Sequence, residues 1–170
     1  SMLTHLKGRA GDVPKPVGLA ASDNVVFGIN ITWAFPPDTG DTLSTEVQYS
    51  TTADGASPML LAAVPYPQKI YQQMGLKAGQ EFWYRARLVD RTGNQSDWTG
   101  WIRGMASASA SDILDAIGND VLSAKDGEML TAGINSSLET AIQNALANHD
   151  AVTHQFAQQG EVRAEILQIS

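Results

Sequence analysis

The stretch that decides the fold reads Val25-Val26-Phe27-Gly28-Ile29-Asn30-Ile31-Thr32-Trp33. Its odd positions are all apolar, whereas its even positions include glycine, asparagine and threonine. Successive side chains of a strand point to opposite faces, so this pattern predicts an antiparallel strand with one buried and one solvated face. Pro36-Pro37-Asp38 follows and ends the strand, because proline cannot donate to a hydrogen-bond ladder.

Four further stretches are predicted as strands: residues 43–49 and 82–89 continue the alternation, residues 59–64 form a short apolar run, and residues 98–105 make the last strand. In the first of these, Leu43 is expected to face inward, and Glu46 and Gln48 outward. Arg91-Thr92-Gly93-Asn94 predicts a turn between two strands. Because turn residues separate the segments at the spacing of a sandwich, we expect about seven strands in an antiparallel β-sandwich.

The period of the apolar residues changes near Ser111. Beyond it they recur every three or four positions, which predicts helices in place of strands. Ala106–Ser111 consists of alanine and serine alone and is interpreted as a connector. We therefore divide the chain into a linker or cloning remnant at 1–12, a sandwich domain at 13–107 and a helical segment at 108–170. The start at Ser1-Met2 favours a fragment of a longer protein.

The helical segment carries a heptad pattern of apolar residues. Ser136-Ser137-Leu138-Glu139 has the form of a capping box, which predicts a helix start near 136. A continuous helix from there to 169 would be roughly 50 Å long. One copy cannot bury such a stripe against its own small sandwich, so we expect self-association through a coiled-coil seam. The seam residues are Leu138, Ile142, Ala145, His149, Val152, Phe156 and Ile166.

His149 is the polar member of this seam. A polar residue at a core position of a coiled coil commonly sets register or oligomer state. Binding of an ion by copies of His149 around a symmetry axis is the alternative. His154 lies five positions further on, and residues five apart do not share a helix face, so the two predict no joint metal site.

The net charge of −7 is confined to the helical part. Up to Ser111 nine acidic and nine basic residues cancel, whereas beyond it nine acidic residues face only Lys125 and Arg163. Such a segment would repel phosphate backbones, which argues against a nucleic-acid partner. A solvated outer helix face explains the acidic residues. The sequence contains no run of about 18 apolar residues that would predict a membrane span.

The sequence offers little chemistry for catalysis. It has no cysteine, which excludes disulfides and thiolate metal sites. The motifs of serine hydrolases, zinc proteases, phosphate loops and dinucleotide-binding proteins are absent. Histidine, the commonest acid–base residue, occurs three times, and only His5 lies outside the helical segment. We expect no cofactor and no metal, and we predict that the chain is not an enzyme.

One row of side chains suggests a surface contact. Trp83, Arg85 and Arg87 are predicted to share the outward face of one strand, near Trp98 and Trp101. Arginines stacked between indoles form cation–π ladders, worth roughly 0.5–2 kcal/mol for each pair. A structural ladder that covers the sheet is the favoured interpretation. A carbohydrate or protein contact is the alternative.

Four motifs, in this order along the chain, resemble those of a fibronectin type III domain. They are Ile29-Asn30-Ile31-Thr32-Trp33 with Pro36-Pro37-Asp38, Glu46-Val47-Gln48-Tyr49-Ser50, Leu76 to Arg87 with Gly79, Phe82 and Tyr84, and Gly93-Asn94-Gln95-Ser96-Asp97-Trp98. The resemblance covers about 13–107 and implies that Trp33 is the core tryptophan of the second strand. The family usually has tyrosine where Phe82 stands, with its hydroxyl bonded to the corner backbone, so that bond is expected to be lost.

A type III domain followed by a coiled-coil-like segment resembles the central tail-tip (host specificity) proteins of lambda-like bacteriophages and prophages. This resemblance implies a non-enzymatic structural module in the virion tail, a spacer and a trimerisation stem for host attachment. Other tail proteins would be its partners, and a bacterial surface receptor would be contacted through regions outside this chain. The alternatives are a glycan-binding accessory module of a secreted bacterial protein, which the tryptophans suggest, and an adhesin stalk.

Overall fold

The computed structural model describes residues 12–118 and, beyond them, the helical positions 139, 140, 143, 144 and 147. The chain divides into two compact units, residues 1–107 and 108–170. Elements are numbered here in chain order. The first unit contains the strands β1 (Val17–Ala21), β2 (Gly28–Ala34), β3 (Thr42–Ser50), β4 (Met59–Pro65), β5 (Ile70–Met74), β6 (Glu81–Asp90) and β7 (Ile102–Met105). The second contains helix α1 (Ala110–Gly118).

The strands form two antiparallel sheets, one of order β1-β2-β5 and one of order β4-β3-β6-β7. The sheets enclose a core in which Ile29, Ile31 and Trp33 of β2 cluster with Val47 of β3 and Tyr84 of β6, all of them buried. Alternate residues of β2 and β6 supply this core because successive strand side chains point to opposite faces. The predicted two-sheet antiparallel sandwich is therefore confirmed.

Strand boundaries differ from the prediction at three places. β1 and β5 were not among the predicted segments, and β7 begins at Ile102, so residues 98–101 lie outside any strand. Val25 and Phe27 precede β2 although they continue its apolar alternation. Phe27 has a positive φ of 57° and is fully buried, so the chain turns there before the ladder begins.

The prediction that Leu43 faces inward is wrong. The pairing of β3 with β6 shifts between Thr42, which opposes Asp90, and Ser44, which opposes Val89. An extra residue in one strand reverses the facing of the side chain at the irregularity. Leu43 is accordingly 55% exposed.

Tyr84 carries the hydroxyl that bridges the two sheets. Phe82, at the position where the related domains usually have tyrosine, packs edge-on against Tyr49 with 5.4 Å between ring centroids. The Tyr84 hydroxyl donates to Oε1 of Gln73 on β5 over 2.6 Å. Burial raises the pKa of Tyr84 well above its usual value, so its phenol remains a donor. This neutral hydrogen bond ties β6 to the opposite sheet.

Helix α1 begins where the sequence places a connector. The Ser109 hydroxyl accepts a hydrogen bond from the backbone N–H of Asp112 over 3.3 Å, which is the geometry of an N-cap. Ile113 and Ile117, four residues apart on one helix face, are buried. In the part of the chain that the structure describes, no helix is long and apolar enough to cross a membrane.

The predicted coiled-coil seam lies outside the described residues. This holds for all seven of its positions, Leu138, Ile142, Ala145, His149, Val152, Phe156 and Ile166. Thr140, Gln143, Asn144 and Ala147, which fall between seam positions, are helical and exposed. The seam and the trimer therefore stay predictions.

Candidate contact surface on the outer face of the four-stranded sheet

Strand β6 separates the core from the candidate surface. Tyr84 and Ala86 are fully buried, whereas Trp83, Arg85 and Arg87 point to the other face and are half-buried. On the neighbouring strand, Gln48 opposes Arg85 and Glu46 opposes Arg87. The strand period alone thus places one indole and two guanidinium groups in a row.

Two indoles from the loop before β7 interleave with these guanidinium groups. Cζ of Arg85 lies 4.6 Å from the ring centroid of Trp98 and 4.6 Å from that of Trp101. Cζ of Arg87 lies 4.3 Å from the centroid of Trp98. The order of the stack is therefore Trp101, Arg85, Trp98, Arg87. We call these four residues the Trp–Arg stack.

Side chains of β3 fix the orientation of the two guanidinium groups by accepting hydrogen bonds from them. Nε of Arg85 donates to Oε1 of Gln48 over 2.8 Å. Nε and Nη2 of Arg87 donate to Oε2 of Glu46 over 3.1 and 2.9 Å. Desolvation, followed by the charge of Arg87, lowers the pKa of Arg85 from its usual value. Arginine nevertheless stays cationic at any physiological pH, so both groups retain the charge that the indole faces attract.

The loop that carries the two tryptophans is tied to β6. The Thr99 backbone N–H donates to the Ala86 carbonyl, and the Thr99 hydroxyl accepts from the Ala86 N–H over 3.0 Å. Three residues earlier in the loop, Ser96 makes the equivalent pair of bonds to the backbone of Leu88. The loop therefore follows β6 as a strand would, although side-chain hydroxyls replace backbone carbonyls.

Gly55, in the loop between β3 and β4, closes the far end of the stack. Its φ is +75°, and a Cβ added there would overlap the indole of Trp101. The backbone of this loop thus lies directly against Trp101. Only glycine combines the left-handed conformation with so close an approach.

The structure brings together four of the five residues predicted for this surface. Trp83 lies on the same face, paired in register with Ser50 and Arg103, but among the described residues no guanidinium lies over its ring. Arg103 instead makes an exposed ion pair with Glu81 over 2.8 Å. The sequence pattern predicted no site role for Glu46, Gln48 and Gly55. The outward phase of Glu46 and Gln48 on the next strand could have identified the first two.

The contacts within the stack occupy indole faces on which a ligand could otherwise bind. Arg85 covers one face of Trp98 and one face of Trp101, and Arg87 lies over Trp98 as well, so the indole faces that a sugar ring would stack on are largely taken. Within residues 12–118 and the five later described positions, no group of three or more histidine, aspartate and glutamate side chains could hold a metal ion.

Comparison of the sequence with known proteins finds relatives among phage tail proteins. No family model matches the chain. The chain is 38% identical over 167 residues to Tip attachment protein J of Escherichia phage SECphi27, a match that covers 94% of this chain and 14% of that protein. It is 25% identical to Tip attachment protein J of Escherichia phage SECphi4, over 98% of this chain and again 14% of that protein. The chain thus spans about one seventh of the length of these curated relatives.

Comparison of the fold finds fibronectin type III domains. The solution structure of one such human domain aligns with a TM-score of 0.50 and 13% identity, over 64% of this chain and 85% of that domain. This likeness shows the fold of the sandwich alone. Together the comparisons confirm both predicted resemblances: the chain contains a fibronectin type III-like sandwich and is similar, over nearly its whole length, to a segment of phage tip attachment protein J.

Proposed function

We propose that the chain is a non-enzymatic structural module of a phage tail-tip protein. The sandwich at 13–107 acts as a spacer, and the helical segment at 108–170 acts as an oligomerisation stem. The observation that carries the proposal is the 38% identity to Tip attachment protein J over 94% of the chain. Because the identity extends across both the sandwich and the helical segment, it links the two parts to the same class of protein.

The surface chemistry of the sandwich supports a structural role. Its most elaborate side-chain arrangement, the Trp–Arg stack, is satisfied by its own neighbours Glu46 and Gln48. A site for catalysis would instead hold reactive groups open toward a substrate. The module would lie in the virion tail, next to other tail proteins, and a bacterial surface receptor would be bound by regions outside this chain.

The stem is proposed to be a trimer. The apolar stripe of the helical segment exceeds what one small sandwich can cover, and a heptad pattern is buried most simply by copies of itself. Sedimentation equilibrium tests this. We expect three times the monomer mass of 18.2 kDa for the full chain and a monomer for a truncation at Ser107. A full chain that stays monomeric at high concentration would overturn the stem.

The truncation needs its own control for folding. Ser107 is fully buried and its N–H donates to the Val25 carbonyl, so the cut leaves the sandwich core intact. Far-ultraviolet circular dichroism and a cooperative thermal transition would show that the truncated chain is folded. An unfolded truncation would contradict the division of the chain at 107.

Glycan binding is the rival function, and Trp83 is the residue that would carry it. It is the tryptophan of this face over which no guanidinium is found in the described part of the chain. Screening the full chain against a glycan array tests the rival. Our proposal expects no binding. Binding that is lost in Trp83→Ala would favour the rival.

A further inference from the structure

The loop between β3 and β4 contains an aspartate that is followed directly by a glycine. Asp54 is exposed, whereas Gly55 is buried against Trp101. In such a pair the amide nitrogen of the glycine can attack Cγ of the aspartate, because glycine has no side chain to obstruct the approach. The carboxyl hydroxyl and the amide proton leave as water, and a five-membered succinimide forms. Water then reopens the ring, and cleavage at the former main-chain carbonyl of the aspartate gives isoaspartate.

Isoaspartate at this position would alter the loop that ends the Trp–Arg stack. The main chain of isoaspartate runs through Cβ and Cγ, so it is longer by one carbon atom, although the mass of the protein is unchanged. Gly55 lies so close to the indole of Trp101 that even one added Cβ would overlap the ring. We therefore expect the lengthened chain to lose this contact, and Trp101 to lose the backbone against which it packs.

The contacts of the folded loop oppose formation of the succinimide. The attacking amide is engaged, since the Gly55 N–H donates to the Thr52 carbonyl over 3.0 Å. The carboxylate is engaged as well, since Oδ1 of Asp54 accepts from the Thr52 hydroxyl over 2.6 Å and from the Ala56 N–H over 3.2 Å. These two hydrogen bonds lower the pKa of Asp54, so at neutral pH the carboxyl lacks the hydroxyl that has to leave.

We propose that Asp54–Gly55 is a latent modification site, which the closed loop protects and which forms isoaspartate when the loop opens. Opening has to free the Gly55 N–H and the Asp54 carboxylate from their partners and to separate Gly55 from Trp101. Loops of folded proteins open locally at a lower free energy than global unfolding requires. The rate of isoaspartate formation then follows the fraction of time for which the loop is open. The inference does not depend on the proposed function, since it rests on the sandwich alone.

Peptide mapping of the aged protein tests the protection. The full chain is incubated for weeks at neutral pH, with and without denaturing guanidinium chloride, and is then digested. Chromatography separates the isoaspartyl peptide that contains residue 54 from its aspartyl isomer of the same mass. We expect isoaspartate to accumulate at least about tenfold more slowly in the folded chain than in the unfolded one, because the loop is closed most of the time. Equal rates in the two conditions would overturn the inference.

Two substitutions weaken the closed loop by different routes. Trp101→Ala removes the ring from Gly55, and Thr52→Val removes the hydroxyl that binds the Asp54 carboxylate. Each should raise the rate in the folded chain by about threefold to tenfold and leave the rate in guanidinium chloride unchanged. Arg103→Met, which removes an exposed ion pair elsewhere, should change neither rate.

Circular dichroism shows which variants are folded. Thr52 is exposed, so Thr52→Val decides the question if Trp101→Ala fails to fold. A folded Thr52→Val chain that forms isoaspartate no faster than the wild type would overturn protection by the closed loop.

Discussion

Gly55 approaches the indole of Trp101 more closely than any residue with a Cβ could. Two requirements meet at this position, a φ of +75° and an aromatic ring directly against the backbone. A left-handed conformation alone costs a residue with a Cβ about 1–2 kcal/mol. The overlap with Trp101 adds to that, because either the loop or the indole has to move and the Trp–Arg stack loses its end.

Gly55→Ala is therefore expected to lower the free energy of unfolding by about 2–4 kcal/mol, the sum of conformational strain and overpacking. Gly93→Ala is the matched control, since Gly93 has a φ of +89° but no atom within 4 Å of an added Cβ. It should show the conformational cost alone. Urea unfolding measures both. Equal losses in the two variants would mean that the contact with Trp101 contributes nothing.

Arg85 holds two indoles at once, and its replacement tests what the Trp–Arg stack contributes. Arg85→Met keeps much of the length of the side chain but removes the charge, so both cation–π contacts and the bond to Gln48 are lost. We expect a loss of about 1–2 kcal/mol in urea unfolding and a changed near-ultraviolet circular dichroism spectrum. Arg103→Met removes an exposed ion pair and should cost under about 1 kcal/mol.

If Arg85→Met unfolds at the wild-type urea concentration, the stack has no structural role and a contact function for this surface becomes the stronger hypothesis. The near-ultraviolet spectrum separates the two effects, because it reports whether Trp98 and Trp101 keep a fixed environment. A stable variant with an unchanged spectrum would show that the bonds of the loop to β6 position the indoles without the cation.

At the scale of elements, the turn after β6 is built on one buried carboxylate. Asp90 accepts hydrogen bonds from the backbone N–H groups of Thr92 and Asn94 and from both of their side chains. Desolvation by burial opposes its ionisation, but these hydrogen bonds outweigh it and hold the pKa of Asp90 below its usual value. The turn predicted at 91–94 is confirmed, and the residue that fixes it lies one position before.

This lowered pKa predicts a pH dependence of stability. The carboxylate is favoured in the folded state, so the contribution of Asp90 is fully present above its unfolded pKa of about 3.9 and is lost as the pH falls through the lower folded value. Asp90→Asn should cost about 1–3 kcal/mol near pH 7, and the difference from wild type should shrink below about pH 4. Urea unfolding across this range measures it.

Asp97→Asn is the control for the loss of a carboxylate, since Asp97 lies in the same connection between β6 and β7 but has an exposed side chain. A difference between wild type and Asp90→Asn that stays constant down to pH 2 to 3 would contradict the lowered pKa. It would indicate that the turn depends on the shape of the side chain rather than on its charge.

The elements that the sequence predicted are those whose alternation is strong. β2 and β6 contribute most of the core, and their inward residues were identified by period alone. β1 was not predicted because Val-Gly-Leu-Ala-Ala lacks polar positions and its pairing is irregular near Gly18. β5 was not predicted because the adjacent Gln72 and Gln73 interrupt the alternation of apolar and polar residues. Leu43 was misplaced because a one-residue shift in pairing leaves no trace in the pattern. Periodicity predicts which side of the sheet a side chain lies on, but it does not show where the pairing of two strands shifts by one residue.

The candidate surface was predictable only in part, for a related reason. The row on β6 follows from strand phase, but the position of Trp98 and Trp101 depends on a loop held by the Thr99 hydroxyl, which periodicity does not describe. Gly55 is distant in sequence and contributes by lacking a side chain. Such a contact becomes visible only when the loops are placed in space.

At the scale of the whole molecule, charge is unevenly distributed along the chain. The sandwich part is electrically balanced, whereas residues beyond Ser111 carry the entire net charge of −7. A stem built from copies of that segment brings acidic side chains together. Association through its seam then has to overcome repulsion between copies, which dissolved salt screens.

We therefore expect the proposed trimer to tighten as salt is added. From about 10 mM to about 1 M ionic strength the screening length falls from roughly 30 to 3 Å, so repulsion between copies fades while apolar burial in the seam persists. Sedimentation equilibrium at both concentrations would show a smaller dissociation constant at high salt. The truncation at Ser107, which has almost no net charge, should stay monomeric at both. Dissociation of the full chain by salt would instead mean that ion pairs hold the copies together, and the apolar seam would have to be abandoned.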